Sequence, residues 1–236
     1  MTDSSSRFSS RFAFLISALG IAIGTGNIWR FPRIVASNAG DEGAGAFLVA
    51  WITFLFLWSI PLIIVEYIMG RQSRMGTIGS FANFMGKPFA FLGGFVGVVS
   101  TAIAFFYSVI VGWNIYYFGT IMFTDLPQNN DASWALWSTF QNSSFPILFH
   151  AVAMTVGGLA IYKGVSSIEK VNKILIPTLL GIVLLSLIRA ISLPGSLDGI
   201  KYLFTPDWTQ LSRPGIWVDA LAQNAFDTGA GFGLFL

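Results

Sequence analysis

Apolar runs of about twenty residues recur along this chain, each long enough to carry a helix through the hydrocarbon core of a bilayer. Hydrophobic residues make up 54% of its 236 positions and charged residues only 10%, so a soluble domain is excluded. In lipid every backbone N–H and C=O must find an internal partner, and runs of this length do so as helices. The runs place spans at roughly 12–36, 43–70, 89–123, 145–162 and 168–192, with a further one starting at about 214. The expected fold class is therefore an all-α polytopic membrane protein.

Two of these segments are interrupted. Leu15 to Pro32 reads LISALGIAIGTGNIWRFP, and Trp217 to Leu236 reads WVDALAQNAFDTGAGFGLFL. Small residues cluster at Gly20, Ala22, Gly24 and Gly26 in the first, and at Gly229, Gly231 and Gly233 in the second. A backbone that leaves the helix inside a membrane survives only where it lines a protein cavity or holds a ligand. Interrupted helices at corresponding places in two halves of a chain point to the substrate and ion site of a secondary transporter. The competing reading makes Gly20 and Gly24 a small-residue face for helix packing. Asn27, Arg30 and Pro32 weigh against packing alone, because an amide and a guanidinium at membrane depth face a cavity or a partner.

Connections are marked by Asp41-Glu42-Gly43, by 70–88, by the polar stretch 124–144, and by turn signals at Pro194-Gly195, Pro206-Asp207 and Pro214-Gly215. Arg7, Arg11, Arg71, Arg74, Lys87, Lys163, Lys170 and Lys173 fall on one side of the membrane. The other side receives Arg33, Arg189, Lys201 and Arg213, so the bias predicts a cytoplasmic N-terminus. The tail MTDSSSRFSSRF has no cleavage site behind a short apolar core and leads into a retained first span. Pro61 and Pro177 lie inside spans and are candidate kinks.

Other chemistries find little support. The absence of cysteine removes disulfides, thiolate-held zinc and thiol catalysis. His150, the single histidine, reads as a helix-end residue rather than a metal ligand or proton relay. The GTGN tetrapeptide follows no strand, so it is no dinucleotide fingerprint. A net charge of +2, split across the membrane, gives no reason to invoke nucleic acid. No enzyme activity is expected.

Five blocks in order carry a resemblance: GIAIGTGNIWRFP (Gly20–Pro32), NAGDEGAGAFLVAW, PLIIVEYIMGR (Pro61–Arg71), FFYSVIVGW, and FTPDWTQLSRPGIWVDALAQNAFDTGAGFG. Together they resemble the neurotransmitter:sodium symporter family. The resemblance implies the LeuT-type inverted-repeat fold, in which broken helices hold substrate and sodium at the midplane. Its expected organisation here is a tail over 1–11 and five helices over 12–192, the first broken near 22–26. A loop over 193–213 and the start of a sixth helix over 214–236 follow. The sequence stops at the second break, which reads as a fragment holding one repeat and the opening of its partner. Sodium ligands from the family's seventh and eighth helices would then be missing, and 1–236 alone is expected not to transport.

By the same resemblance, the carbonyls of Gly20 and Ile23 serve one sodium ion, and the carbonyl of Ala22 with the side chain of Asn27 serves another. Such hard oxygen donors suit the ion. The N–H groups of Thr25 and Gly26 hold the substrate carboxylate at a half-helix start. Gly24 stands where monoamine-transporting relatives carry aspartate, which favours a substrate with its own carboxylate. Tyr107 meets that carboxylate and Ile103, one turn earlier, lines the pocket, although a tyrosine in a span is also at home packing at the interface. Phe226 is the aromatic lid, and Gly229 and Phe232 line the side-chain pocket.

Arg30 and Gln223 match an outer gate, against which snorkelling of Arg30 is the alternative. Glu66 matches a glutamate that braces the unwound backbone, or lies near the interface. Arg7 and Phe8 fall, shifted or substituted, where an inner gate is found. Asp227 replaces a threonine that contributes to the first sodium site, and reads as a cation and substrate contact or as a half-helix cap. The function expected is a sodium-coupled symporter for an amino acid or related zwitterion, working by alternating access with Na+ as its ion. The alternative is a non-transporting membrane subunit or truncated regulatory half, and a channel ranks below both. Expected partners are the lipid bilayer, the small-molecule substrate and the remaining transporter helices. Asn142-Ser143-Ser144 forms a glycosylation triplet in a short, cysteine-free loop, where animal relatives carry a longer disulfide-bearing one. The expected location is the bacterial inner membrane.

Overall fold

The computed structural model of the chain describes residues 9–23 and 26–236. Arg7, Phe8, Gly24 and Thr25, named above, lie outside the described residues. The described elements are helical, with no strand among them. Helix α1 (Arg11–Ala22) starts at Ser10, whose side chain accepts from the Ala13 N–H at 3.1 Å. It stops at Ile23, where ψ swings to 63°. The chain resumes in a π-helical turn over Gly26–Arg30 and continues as α2 (Phe31–Ser37).

A second π-helical turn, Leu55–Ser59, joins α3 (Gly45–Phe54) to α4 (Ile60–Ser73). Each π turn ends two residues before a proline, Pro32 in one case and Pro61 in the other. A proline ring presses on the carbonyl four residues earlier, and the wider turn opens that backbone. The candidate kink at Pro61 thus takes the form of a local widening. Pro177 sits inside a helix of 27 residues.

Next come α5 (Gly76–Met85), α6 (Ala90–Phe123), α7 (Asn130–Gln141), α8 (Phe145–Ile161), α9 (Val165–Ile191), α10 (Ser196–Phe204) and α11 (Pro214–Thr228). Among the described residues, three continuous helices are long and apolar enough to cross a membrane: Gly45–Ser73, Lys87–Phe123 and Val165–Ile191. The pair α7 and α8 qualifies together, bent by 73°. Three stretches that the sequence marks as connections contain helices, namely α5, α7 and α10. Polar and turn-forming residues drew the loop reading, yet Asn129 caps α7 by accepting from the Ala132 N–H at 2.8 Å.

The described chain divides into two compact units. The first, Val98–Ile168, is held by aromatic packing: Tyr116 stacks on Phe140 at 4.2 Å and Trp113 meets Trp137 edge-on at 5.0 Å. Here His150 Nε2 lies 3.0 Å from the Ser108 hydroxyl, and no group of three metal-ligating side chains occurs among the described residues.

The second unit is the remainder of the described chain. Its core joins Val35, Ala44, Ala46, Phe47, Ala50, Ile216 and Ala220, with Phe31 and Trp51 packed against them. Small residues on α3 and α11 let the two backbones come close. Helix α1 runs along α9. The Ser9 backbone N–H (2.9 Å) and hydroxyl both donate to Glu169, Lys173 donates to the same carboxylate at 2.6 Å, and Asn172 donates to Ser17 at 3.1 Å. Further along, a Cβ on Gly20 would lie 2.7 Å from Ile176 Cδ1, so this glycine does serve helix packing.

The loop before α3 is clasped by the segment after α10. The Ala44 and Gly45 N–H groups donate to the carbonyls of Tyr202 (3.0 Å) and Thr205 (2.9 Å), and the Tyr202 hydroxyl donates to the Gly40 carbonyl at 3.0 Å. Asp207, buried against this clasp, accepts from the Thr209 hydroxyl at 2.6 Å and its N–H at 3.1 Å. The Thr209 hydroxyl chiefly, with Gln210 and backbone N–H groups, holds the Asp207 carboxyl below its usual range.

Candidate functional site

Helix α11 ends where the chain needs three left-handed residues in five. Gly229, Gly231 and Gly233 have φ of 66°, 90° and 68°, a region that side chains disfavour and glycine enters freely. The Gly229 N–H closes the helix onto the Ala225 carbonyl at 3.0 Å, and its own carbonyl accepts from the Phe232 N–H at 3.2 Å. The next N–H groups need another acceptor. Glu66, buried on α4, supplies it: its Oε1 accepts from the N–H of Gly231 at 2.8 Å and of Gly233 at 3.2 Å.

On the other side of α11 the first interrupted segment arrives. Arg30, last residue of the π turn, donates through Nη1 to Gln223 Oε1, and its guanidinium lies over the Phe226 ring at 4.7 Å. Phe226 in turn meets Phe232 edge-on, with centroids 6.3 Å apart. Helix α11 puts Gln223, Phe226 and Asp227 on one face by its i, i+3, i+4 spacing. Arg30 therefore has a hydrogen-bond partner and a π face within this unit, which snorkelling does not require.

Asp227 is 5% exposed, and both of its oxygens are engaged: Oδ1 accepts from Gln223 Nε2 at 2.6 Å and Oδ2 from Trp51 Nε1 at 3.0 Å. It does not cap α11, because the Gly229 N–H goes to Ala225. Its two oxygens face the Gln223 amide and the Trp51 indole.

Four participants escaped the sequence reading. Trp51, lying in an apolar run, gave no signal. Asn224, fully buried, donates to the Trp51 carbonyl at 2.8 Å and accepts from the Ser59 hydroxyl. Thr228 donates to the Asn224 carbonyl at 2.8 Å and comes within 3.0 Å of the Ser59 hydroxyl. A signal did exist in QNAFDT, where polar residues recur at i, i+4 as Gln223/Asp227 and Asn224/Thr228. Ser59 lies in the second π turn, whose wider backbone puts it against α11.

The remaining residues named from the sequence divide by location. Gly20, Ala22 and Ile23 stand at the end of α1, Gly26 opens the π turn, and Asn27 lies half-buried within it. Ile103 and Tyr107 are half-buried one turn apart on α6, within the Val98–Ile168 unit.

The two interrupted helices are joined through an arginine, an amide and an aromatic pair. A model of the sodium:neurotransmitter symporter family matches residues 5–144 and 143–236. The chain belongs to the sodium:neurotransmitter symporter family. It is similar to a sodium-dependent transporter of Methanocaldococcus jannaschii, with 32% identity over 240 residues covering 97% of this chain and 48% of that protein. A sodium-dependent transporter of Bacillus subtilis is 31% identical over 229 residues, covering 95% and 50%. The sodium-dependent neutral amino acid transporter B(0)AT2 of Bos taurus is 28% identical over 264 residues, covering 98% and 35%. The chain thus spans about half the length of the two microbial relatives and about a third of the bovine one. Membership of the symporter family, with its helices long and apolar enough to span, makes this an all-α, multi-pass membrane protein and not an enzyme.

Proposed function

We propose that the chain is the N-terminal half of a sodium-coupled symporter for an amino acid or related zwitterion, working by alternating access. The observation that carries this reading is the junction of the two interrupted helices: Arg30 reaches both Gln223 and Phe226 on the helix that ends in a glycine break, and Glu66 stitches that break to α4.

In this reading the carbonyls of Gly20, Ala22 and Ile23 and the side chain of Asn27 are the sodium ligands, all hard oxygen donors. The N–H groups of Thr25 and Gly26 take the substrate carboxylate. Phe226 and Phe232 with Gly229 form the wall over its side chain, and Arg30 with Gln223 is the outer gate. Asp227, whose two oxygens each accept one hydrogen bond, serves as a cation and substrate contact through their remaining lone pairs. Sodium stabilises the outward-open state, and substrate then selects the closing one.

The test is uptake by the full-length protein in proteoliposomes. An inward sodium gradient should drive accumulation of at least one neutral amino acid, potassium should not replace it, and Asn27→Ala should raise the sodium concentration for half-maximal uptake about ten-fold, the loss of one coordinating oxygen. Uptake indifferent to sodium would overturn the assignment. Orientation has its own test. A cysteine at Asn130 should react with an impermeant thiol reagent in intact cells, and one at Gly76 should be protected. The reverse labelling would invert the topology.

A further inference from the structure

Arg30, Gln223, Asp227 and Trp51 form one buried line of hydrogen bonds whose polarity admits a single arrangement. A guanidinium only donates and an ionised carboxylate only accepts. Between them stands the Gln223 amide, which has one end of each kind. With Nε2 given to Asp227 Oδ1 (2.6 Å), Oε1 is left to face Arg30, and it accepts from Nη1. Trp51, a donor only, fills the other carboxylate oxygen from α3 at 3.0 Å. Gln223 is fully buried and Asp227 nearly so, so an amide turned the wrong way would have no water to correct it.

We infer that Asp227 is the positioning residue of the outer gate: through Gln223 it fixes the acceptor that holds Arg30, and it supplies the buried counter-charge for that arginine from within the same unit. Asp227 and Arg30 make an ion pair bridged by one amide. The arginine is then neutralised and aimed by residues of this unit alone. Replacing Asp227 by asparagine breaks the polarity. The Trp51 N–H still needs the amide oxygen, so the asparagine presents its NH2 to Gln223, whose own amide must turn and direct NH2 at Arg30, donor against donor. Gln223→Glu fails for the opposite reason, since it sets two carboxylates together with no donor between them.

The double substitution Gln223→Glu with Asp227→Asn satisfies every group again. Trp51 donates to the asparagine oxygen, the asparagine NH2 donates to the glutamate, and the glutamate accepts from Arg30. The charge has moved by one residue and the chain of donors runs in the original direction.

The inference rests on the gate reading of Arg30 for its transport readout alone, and four full-length proteins test it: wild type, Asp227→Asn, Gln223→Glu and the double variant, compared at equal membrane abundance. Each single variant should lose sodium-driven uptake by roughly ten-fold or more, and the double should return to within about three-fold of wild type. Melting temperatures of the purified proteins should follow the same order, the singles lower by about 5 °C and the double restored. Should wild type transport nothing, the melting pattern decides alone, because donor polarity belongs to the fold. A double variant as impaired as the worse single, or singles that match wild type, would overturn the assignment. Rescue of melting without rescue of uptake would overturn the gate role and point to Asp227 charge acting on the cation.

Discussion

Gly43→Ala should remove most of the folded protein from the membrane, by destroying the clasp between the loop before α3 and the segment after α10. A Cβ at Gly43 would run into the Thr205 carbonyl oxygen and lie 2.7 Å from that of Tyr202. Both are backbone atoms, so neither can rotate aside. The same carbonyls accept the Gly45 and Ala44 N–H groups, and pushing them away breaks these bonds while overpacking the junction. Overpacking with one or two lost hydrogen bonds costs about 2–4 kcal/mol. Gly45→Ala should behave likewise, its Cβ falling 2.8 Å from Pro206 N. Gly199→Ala, in α10 with nothing within 4 Å of the added atom, is the control. Detergent-solubilised full-length protein followed by size exclusion and thermal melting checks the order. If Gly43→Ala is as abundant and heat-stable as Gly199→Ala, the clasp does not hold the loop.

That glycine also shows how the sequence could be read and where reading stops. The glycine cluster at 229–233 announced a backbone that leaves the helix, because only glycine readily enters the left-handed region three times in five residues. The cluster at 38–45 holds as many glycines and announced only a loop, since its cause is the Tyr202 and Thr205 carbonyls, far along the chain and invisible to any local pattern. Asp227 illustrates the same division. The resemblance marked it as a site residue, at a place where the family carries threonine, and its i, i+4 spacing from Gln223 was there to be read. That an indole from α3 takes its second oxygen followed from nothing local, because Trp51 in an apolar run looks like any core aromatic. Helices α5, α7 and α10 were hidden differently: polar and turn-forming residues dominate those stretches, and such residues cap and cover helices as readily as they form loops.

Removing the Glu66 side chain should abolish transport and release the glycine break. One carboxylate oxygen accepts two N–H groups, Gly231 at 2.8 Å and Gly233 at 3.2 Å, in a segment whose positive φ values already forfeit helical hydrogen bonding. Glu66→Ala leaves both donors buried and unpaired, at about 1–3 kcal/mol each. Water cannot compensate without opening the site. Glu66→Gln keeps an acceptor oxygen in place but loses the charge, and charge-assisted bonds are roughly twice as strong as neutral ones, so it should retain partial function. Glu66→Asp keeps the charge and shortens the reach by one methylene, which draws the oxygen off both N–H groups and should resemble alanine. The order wild type, glutamine, then aspartate with alanine separates geometry from charge, since an interfacial glutamate needing only its charge would place aspartate above glutamine. Sodium-driven uptake reads the functional loss. Amide hydrogen exchange over 229–235 reads the cause, because in Glu66→Ala the protection at Gly231 and Gly233 should fall while that of α11 before Gly229 stays. Protection unchanged at both glycines in the alanine variant would show that the break holds its shape without Glu66, and that its carboxylate serves something other than the backbone it touches.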